Sequence, residues 1–559
     1  MQETGAARWS IKAYAAAIAA ILLFQWSCAL VLQTLRTGGE QQMQTVVPPP
    51  AERGPRVIIF ALDGAGPEQL MQAIRSGKAP HIAGMLGQDK GAGLFEHAYA
   101  APHALSVLSS STVADWAATL TGQPPATNGV TGDEFFIRET ASFHAPVPVS
   151  VLDTADVTKV VTDDLLGTIL KSPTLYELLR RRSSVSLLSI HHGATFYTTV
   201  LPSSLGNLFA GLIKGTLEGE DPQKSLSAGL DLDSVQKVTE TINKYGLPGL
   251  QVVYFPGIDI FTHGSKVPLE AQVRYIETVT DQAVGEVLKT YQSKGALAGT
   301  YAIFLADHAH IPTLDDNQHR LGTDDEGSPF EVVAKSGFRV RRPFVTLGEF
   351  DKDFQAVLAY QGFMAYVYLA DRSSCSNEHE LCDWKKPPRF KQDVMPVVAA
   401  FYSANRSGNP VPKLKGTLDL IFAREPVSEG RNARPYQIFD GRQLVPIREY
   451  LKQHPRPDLI RLEERMNGLS AGPYGDRAGD ILLLARACTN LPIEQRYYFS
   501  GITHYSWHGS ACEGDSHIPF ILAQQGGSGE RLRSVMRKNA GDSPSEMALT
   551  PLVRELLEK

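Results

Sequence analysis

Three short apolar runs, each meeting an aspartate at or just past its end, constrain the fold of this chain more than any other feature. Val57-Ile58-Ile59-Phe60-Ala61-Leu62 stops at Asp63, and Leu250-Gln251-Val252-Val253-Tyr254-Phe255 is followed shortly by Asp259. Tyr301-Ala302-Ile303-Phe304-Leu305-Ala306 stops at Asp307. Runs of this length without polar alternation suit strands buried on both faces, as in a parallel sheet covered by helices. Helix-like stretches separate them, for example Leu269–Tyr291 before the third run. The alternation predicts an α/β fold: a doubly wound, mostly parallel sheet with helices on both faces. Polar residues just beyond the carboxyl ends of such strands are where these folds build their sites. One aspartate there reads as a helix cap or turn residue. Three of them, two with histidines close by, point to chemistry.

The rest of the chain is read around that sheet. Ile481–Arg486 and Ile518–Ala523 are predicted as two further core strands. Segments of about 140–249 and about 312–445 lack the same strand signal and are expected as insertions, or a cap, within one domain spanning 56–559. Hydrophobic residues at 43% and charged residues at 20% are ordinary for a globular chain and exclude a mostly disordered or coiled-coil one. The net charge of −6 argues against binding to nucleic-acid polymers.

Ala13–Leu32 is a largely apolar run preceded by Arg8 and Lys12, about the length that crosses a ~30 Å hydrocarbon core. It reads either as a signal-anchor helix or as a cleaved signal peptide within residues 1–37, with a lipid-modified Cys28 as a third reading. All three place the body outside the cytoplasm, periplasmic or extracellular, and the anchor reading adds the membrane as a partner. Residues 38–55, rich in Gln, Gly and Pro, read as a linker. The body holds Cys375, Cys382, Cys488 and Cys512. In an oxidising compartment the simplest pairing is Cys375 with Cys382 and Cys488 with Cys512; unpaired thiols and a zinc site are the alternatives.

Asp259 and His263 stand four apart, so a helical turn puts both on one face. Asp307 and His308 are adjacent at a strand end, Asp63-Gly64 adds a carboxylate beside a permissive glycine, and His508-Gly509-Ser510 adds a third imidazole. Mixed Asp/His ligation suits zinc or another borderline divalent metal. Three carboxylates and three imidazoles exceed one tetrahedral ion and fit two, an arrangement that clamps attacking and leaving oxygens in phosphoryl transfer. Ser109–Trp116 (SSSTVADW) supplies hydroxyls where a helix starts, and the free N–H groups of such a start favour a phosphate. His310, in DHAH, is a candidate substrate or supporting group, and His504 and His517 are weaker competitors for the role of His508.

The ordered set Asp63, Thr112 in TVADWAATLTG, NGVTGDEFF (128–136), Asp259xxxHis263, Asp307-His308 and His508-Gly509 resembles the alkaline phosphatase superfamily, and within it the type I phosphodiesterase/nucleotide pyrophosphatase branch. The resemblance runs from about Arg56 to Phe520. It implies Thr112 as the metal-bound nucleophile, because Thr112 stands nine residues before Thr121-Gly122. It further implies that Asp63, Thr112, Asp307 and His308 hold one ion and that Asp259, His263 and His508 hold the other. Two positions depart from the branch: Asp115 and Asn128 stand where Asn and His are common, and both are read as substrate-facing. An ionised Asp115 would repel a phosphate dianion, which favours diesters. No CxPxR-type segment is present, so the sulfatase branch is disfavoured. The resemblance thus implies an exported hydrolase of a small phosphate ester or envelope metabolite, with two divalent ions, zinc first among them. The alternatives are a phosphomonoesterase, a transferase passing the phospho group to an envelope alcohol and, from another class, a catalytically silent binding module on the membrane.

Overall fold

The computed structural model describes residues 54–558 except 151–168, 180, 200–221, 325, 343–352, 378 and 428–430. The expected signal or anchor segment and nearly all of the linker lie outside the described residues. Among the described residues no helix is long and apolar enough to cross a membrane.

The three apolar runs form adjacent parallel strands: β1 (Arg56–Leu62) lies between β2 (Leu250–Phe255) and β3 (Thr300–Leu305). Their registers pair Leu62 with Phe255 and Ala61 with Leu305, so all three carboxyl ends emerge at one sheet edge. Val57 to Leu62 are fully buried, as a strand covered on both faces must be. Two more parallel strands, Ser183–Leu187 and Phe196–Thr199, extend the sheet beyond β2. Beyond β3, the antiparallel strand β4 (Phe520–Gln524) and three short strands between Asp89 and Ala100 complete a nine-stranded sheet. Helices flank the sheet, and the doubly wound α/β expectation holds.

A six-stranded antiparallel sheet forms a second layer system with its own apolar core. It is built from Ala356–Tyr360, Met364–Leu369, Ile481–Ala485, Leu418–Ala423, Gln437–Phe439 and Leu444–Pro446, in that order. Both predicted disulfides form, Cys375–Cys382 and Cys488–Cys512.

Two expectations about the insertions need correction. The segment expected as cap at about 140–249 contributes two strands and the helix Pro222–Tyr245 to the central sheet. The strand Ser183–Leu187 (SSVSL) escapes an apolar-run reading because it buries hydroxyls; Ser186 shares a hydrogen bond with Ser234, and Ser183 accepts from Thr195 N–H. Ile481–Ala485 is a core strand, but of the six-stranded sheet, between Met364–Leu369 and Leu418–Ala423. A buried apolar run does not state which sheet it joins.

Candidate active site

Helix α1 (Thr112–Thr121) begins at Thr112, with Ser111 as its extended N-cap residue. Helix α2 (Gly257–His263) follows β2 after a single proline and carries Asp259 and His263 one turn apart. Because β1, β2 and β3 end together, Asp63, Asp259, Asp307, His308 and His310 meet in one place; His263 and His508 join them.

The ligand atoms cluster in three overlapping groups, each within 4.8 Å: Asp63, Asp307 and His308; Asp259, His263 and His310; Asp259, His308 and His508. His308 Nε2 lies 3.3 Å from Thr112 Oγ1 and 3.6 Å from both Asp63 Oδ1 and Asp307 Oδ2. Asp259 Oδ1 lies 3.2 Å from His263 Nε2, 3.0 Å from His310 Nε2 and 3.8 Å from His508 Nε2. The His308 and His508 rings stack 3.6 Å apart.

Each of these groups is aimed by a neighbour. His263 Nδ1 donates to Ser506 O at 2.6 Å and His508 Nδ1 to Ser110 O at 3.0 Å, which turns both Nε2 atoms toward Asp259. Asp307 Oδ1 accepts from Gly64 N–H at 2.9 Å and from its own neighbour His308 N–H at 3.0 Å. Tyr254 O–H donates to Asp63 Oδ2. Gly64 has φ +69°, and a Cβ there would stand 2.6 Å from His310 Nε2 and 3.0 Å from Asp259, so glycine is required twice over.

The residues fit divalent metal. Asp63 Oδ1, Asp259 Oδ1, Asp307 Oδ2 and His310 Nε2 are all buried without a hydrogen-bond partner, a costly arrangement unless a cation is shared among them. Electrostatics agree. Burial, then the charges of Asp307 and Asp259, push the Asp63 carboxyl well above its ordinary range. Burial also raises Asp307. Burial opposes ionisation of Asp259 too, but His263 and His310 overcome it and hold that carboxyl well below the usual range.

Two residues read as substrate-facing are engaged elsewhere. Asp115 is fully buried; its Oδ1 accepts from Val107 N–H at 3.1 Å, beside Glu546, whose Oε1 accepts from the same N–H at 3.0 Å. Burial and the Glu546 charge push the Asp115 carboxyl well up, so the pair holds a proton between them. The diester preference argued from Asp115 loses its basis. Asn128 ends a short helix, where its side chain donates to Gln123 O and accepts from Val130 N–H. It is turn structure. His310 has a side chain with no exposure, which leaves it no face for substrate. His504 packs 5.0 Å from the His263 ring without joining any of the three groups, and His517 lies against His103.

Sequence reasoning missed Asp133, within the quoted NGVTGDEFF. Its Oδ1 accepts from Val113 N–H at 2.9 Å, one residue past Thr112. Burial raises its carboxyl to about 8, with Asp307 and Asp259 contributing. An acidic residue buried in a glycine-rich turn was the available signal. Arg465 was also missed; it donates to Ser106 Oγ, Val107 O and Ser110 Oγ at 2.9–3.2 Å and braces the loop leading into Thr112.

The sequence model of the family described as type I phosphodiesterase / nucleotide pyrophosphatase matches residues 57–349, just over half of the chain. No curated protein matches the sequence. Among solved structures, murine ectonucleotide pyrophosphatase/phosphodiesterase 5 is similar, with a TM-score of 0.51 and 12% identity over 90% of this chain and 95% of that one. The human protein of the same name gives the same TM-score, identity and coverage. At that identity the likeness concerns the fold. The strand-end geometry and the family match converge, and the chain belongs to the type I phosphodiesterase/nucleotide pyrophosphatase family, a family of phosphoric ester hydrolases within the alkaline phosphatase superfamily.

Proposed function

We propose that the protein hydrolyses a small phosphodiester or pyrophosphate outside the cytoplasm, through Thr112 as nucleophile. The observation that carries this reading is the convergence of orphaned carboxylate and imidazole atoms around a hydroxyl at a helix N-terminus. Asp63, Thr112, Asp307 and His308 would hold one divalent ion, and Asp259, His263 and His508 the other, with zinc favoured by the imidazole content. Such ions, when bound, stabilise alkoxide and phosphoryl oxygens as charge develops.

The residues of the chain account for the rest. Thr112 Oγ1 gives up its proton and adds to phosphorus while one P–O bond breaks and the departing alcohol or phosphate takes up a proton; water then cleaves the new Oγ1–P bond, which restores the threonine hydroxyl and releases the remaining phosphate monoester. The N-terminal end of the α1 dipole favours an oxyanion placed at Thr112. Val113 N–H is committed to Asp133, so that carboxyl sets the orientation of the turn carrying the nucleophile. A murine relative solved as a Thr-to-Ala variant, described as inactive and in complex with AMP, supports both a threonine role and a nucleotide-sized ligand. Export is supported by the two disulfides, which belong to oxidising compartments. It is tested by a topology reporter fused at the C-terminus: a cytoplasmic signal overturns it.

The deciding experiment compares phosphate monoester, diester, pyrophosphate and sulfate ester turnover by the metal-loaded protein, with mass spectrometry for the substrate-derived phosphoryl adduct on Thr112, which keeps the substituent that did not leave. Diester or pyrophosphate turnover with label on Thr112 is expected. Turnover unaffected by Thr112→Ala overturns the nucleophile assignment.

A further inference from the structure

His504 is packed on the cluster yet belongs to none of its three ligand groups. Its ring lies 5.0 Å from that of His263 and 5.0 Å from that of Trp507. His263, His308, His310 and His508 are buried, whereas His504 is half-buried. Its ring nitrogens have no hydrogen-bond partner among the described residues and, unlike His310 Nε2, they are not shut off from solvent.

The main chain around this ring is pinned on both sides. His504 N–H donates to Tyr498 Oη at 3.3 Å, and Thr313 Oγ1 donates to His504 O at 2.9 Å. The next residue, Tyr505, donates its N–H to His263 O at 3.0 Å. Packing on His263 and Trp507 accounts for a ring at this position, but a phenyl ring would pack equally well. The open nitrogens are what packing leaves unexplained. An imidazole keeps at least one N–H in either protonation state, so it can donate whatever its charge.

The side on which His504 stands decides what it meets. Thr112 Oγ1 lies 3.3 Å from His308 Nε2, on the side of Asp63 and Asp307. In an in-line displacement the leaving oxygen departs opposite the nucleophile. The other side of the cluster is Asp259 with His263, and His504 abuts it.

We infer that His504 is a further catalytic residue of this reaction, its N–H donating to the oxygen that leaves phosphorus. The inference rests on the nucleophile and two-metal reading proposed above. As the P–O bond breaks, its electron pair stays on the departing oxygen, and the donor steadies the charge that builds there. The proton stays on the imidazole, and the departing oxygen takes its own from water. An alkoxide or plain phenolate concentrates that charge, whereas p-nitrophenolate spreads it over the ring. His504 thus suits the site to phosphodiesters whose leaving oxygens are strongly basic.

The test uses the metal-loaded exported body and methyl aryl phosphates whose leaving phenols run from p-nitrophenol to phenol. His504→Phe keeps the ring contacts and removes the N–H. Its kcat/KM should fall about 10-fold on the p-nitrophenyl ester and about 100-fold on the phenyl ester, the latter typical of one lost oxyanion donor. Metal content and thermal unfolding should match wild type. His504→Ala, which asks nothing of the packing, should show the same trend, and His504→Gln, which returns an N–H, should recover part of the loss on the phenyl ester. Losses that are absent or equal across the series overturn the leaving-oxygen role while the function proposed above stands. Loss of a metal ion from the variants overturns it too, since His504 would then support the ligands. A wild-type protein that cleaves pyrophosphate but none of these diesters overturns this inference alone; one that cleaves neither overturns both readings.

Discussion

The nine-stranded and six-stranded sheets are both fully buried at their centres, yet they serve the site in different ways. In the first, β1, β2 and β3 are parallel and end together, so three aspartates from distant parts of the chain arrive at one edge. In the second, neighbouring strands are antiparallel, with a tight hairpin between Ala356–Tyr360 and Met364–Leu369, and it contributes none of the seven proposed ligands. It contributes support instead. Gln361, in the turn between Ala356–Tyr360 and Met364–Leu369, accepts from Asp133 N–H and donates to Glu134 O. Phe363 N–H donates to His508 O at 3.0 Å. Arg465, on helix α3 (Leu462–Ser470), braces the hydroxyl loop. The difference teaches that parallel pairing concentrates chemistry at strand ends, while an antiparallel layer with hairpin returns is suited to pinning loops.

That division can be broken in order of expected effect. Thr112→Ala should lower turnover by at least about 10³-fold with unchanged thermal unfolding and nearly unchanged metal content, because it removes a reacting atom from the parallel-sheet edge and nothing from the core. Comparable loss from removing the Cys375–Cys382 bridge, on the supporting side, would erase the distinction.

Arg465→Met tests support directly. The arginine is buried, and burial lowers its guanidinium to about 10. Removing it strips a cation from Asp115, Glu546 and Asp515 and should cost about 3–5 kcal/mol of stability in denaturant unfolding. Turnover should fall as well, since Ser110 fixes His508. Intact activity with that stability loss would show that the brace is purely structural.

The disulfides sharpen the comparison. Closing the longer loop of Cys488–Cys512, separation 24, should be worth about 3.5 kcal/mol, against about 2.5 kcal/mol for Cys375–Cys382, separation 7. Double Cys→Ser variants compared by unfolding check the order; the first also joins the six-stranded sheet to the loop after His508 and should lower activity, the second should not.

Glu546→Gln reads the proton shared with Asp115. Burial pushes both carboxyls up in the folded chain. The native state therefore binds more protons than the unfolded state above the ordinary carboxylate range, and stability falls as pH rises from about 4–5, by up to ~1.4 kcal/mol per pH unit per retained proton. Gln removes that dependence, so the variant should lose less stability than wild type between pH 5 and 8; parallel slopes would reject the shared proton. The smallest effect is expected from Asp115→Asn on the ratio of monoester to diester turnover: none, because that carboxyl faces Val107 and Glu546.

Much of the parallel sheet was legible because strands buried on both faces leave unbroken apolar runs, and β1, β2 and β3 do so. The strand Ser183–Leu187 was not, since buried serines satisfied by neighbours look like loop sequence. In the site, DxxxH spacing and the DH pair were readable because helix periodicity and strand ends are local. The misreadings of Asp115 and Asn128 have one cause: both are polar residues beside the site whose partners, Glu546 and Val107 for one and Gln123 and Val130 for the other, become visible only when side-chain direction is known.

By itself the sequence determined that three strand ends carry carboxylates, that imidazoles lie near two of them and that a hydroxyl begins a helix, because these are facts of spacing and local periodicity. Tertiary structure alone decided which lone pairs point inward. The carbonyl oxygens of Ser506 and Ser110 orient the His263 and His508 rings from 243 and 398 residues away, and Gly64, 246 residues from His310, leaves the space for its ring. A hydrogen bond's direction depends on what its partner has already donated, and that is settled only when all the partners are in place.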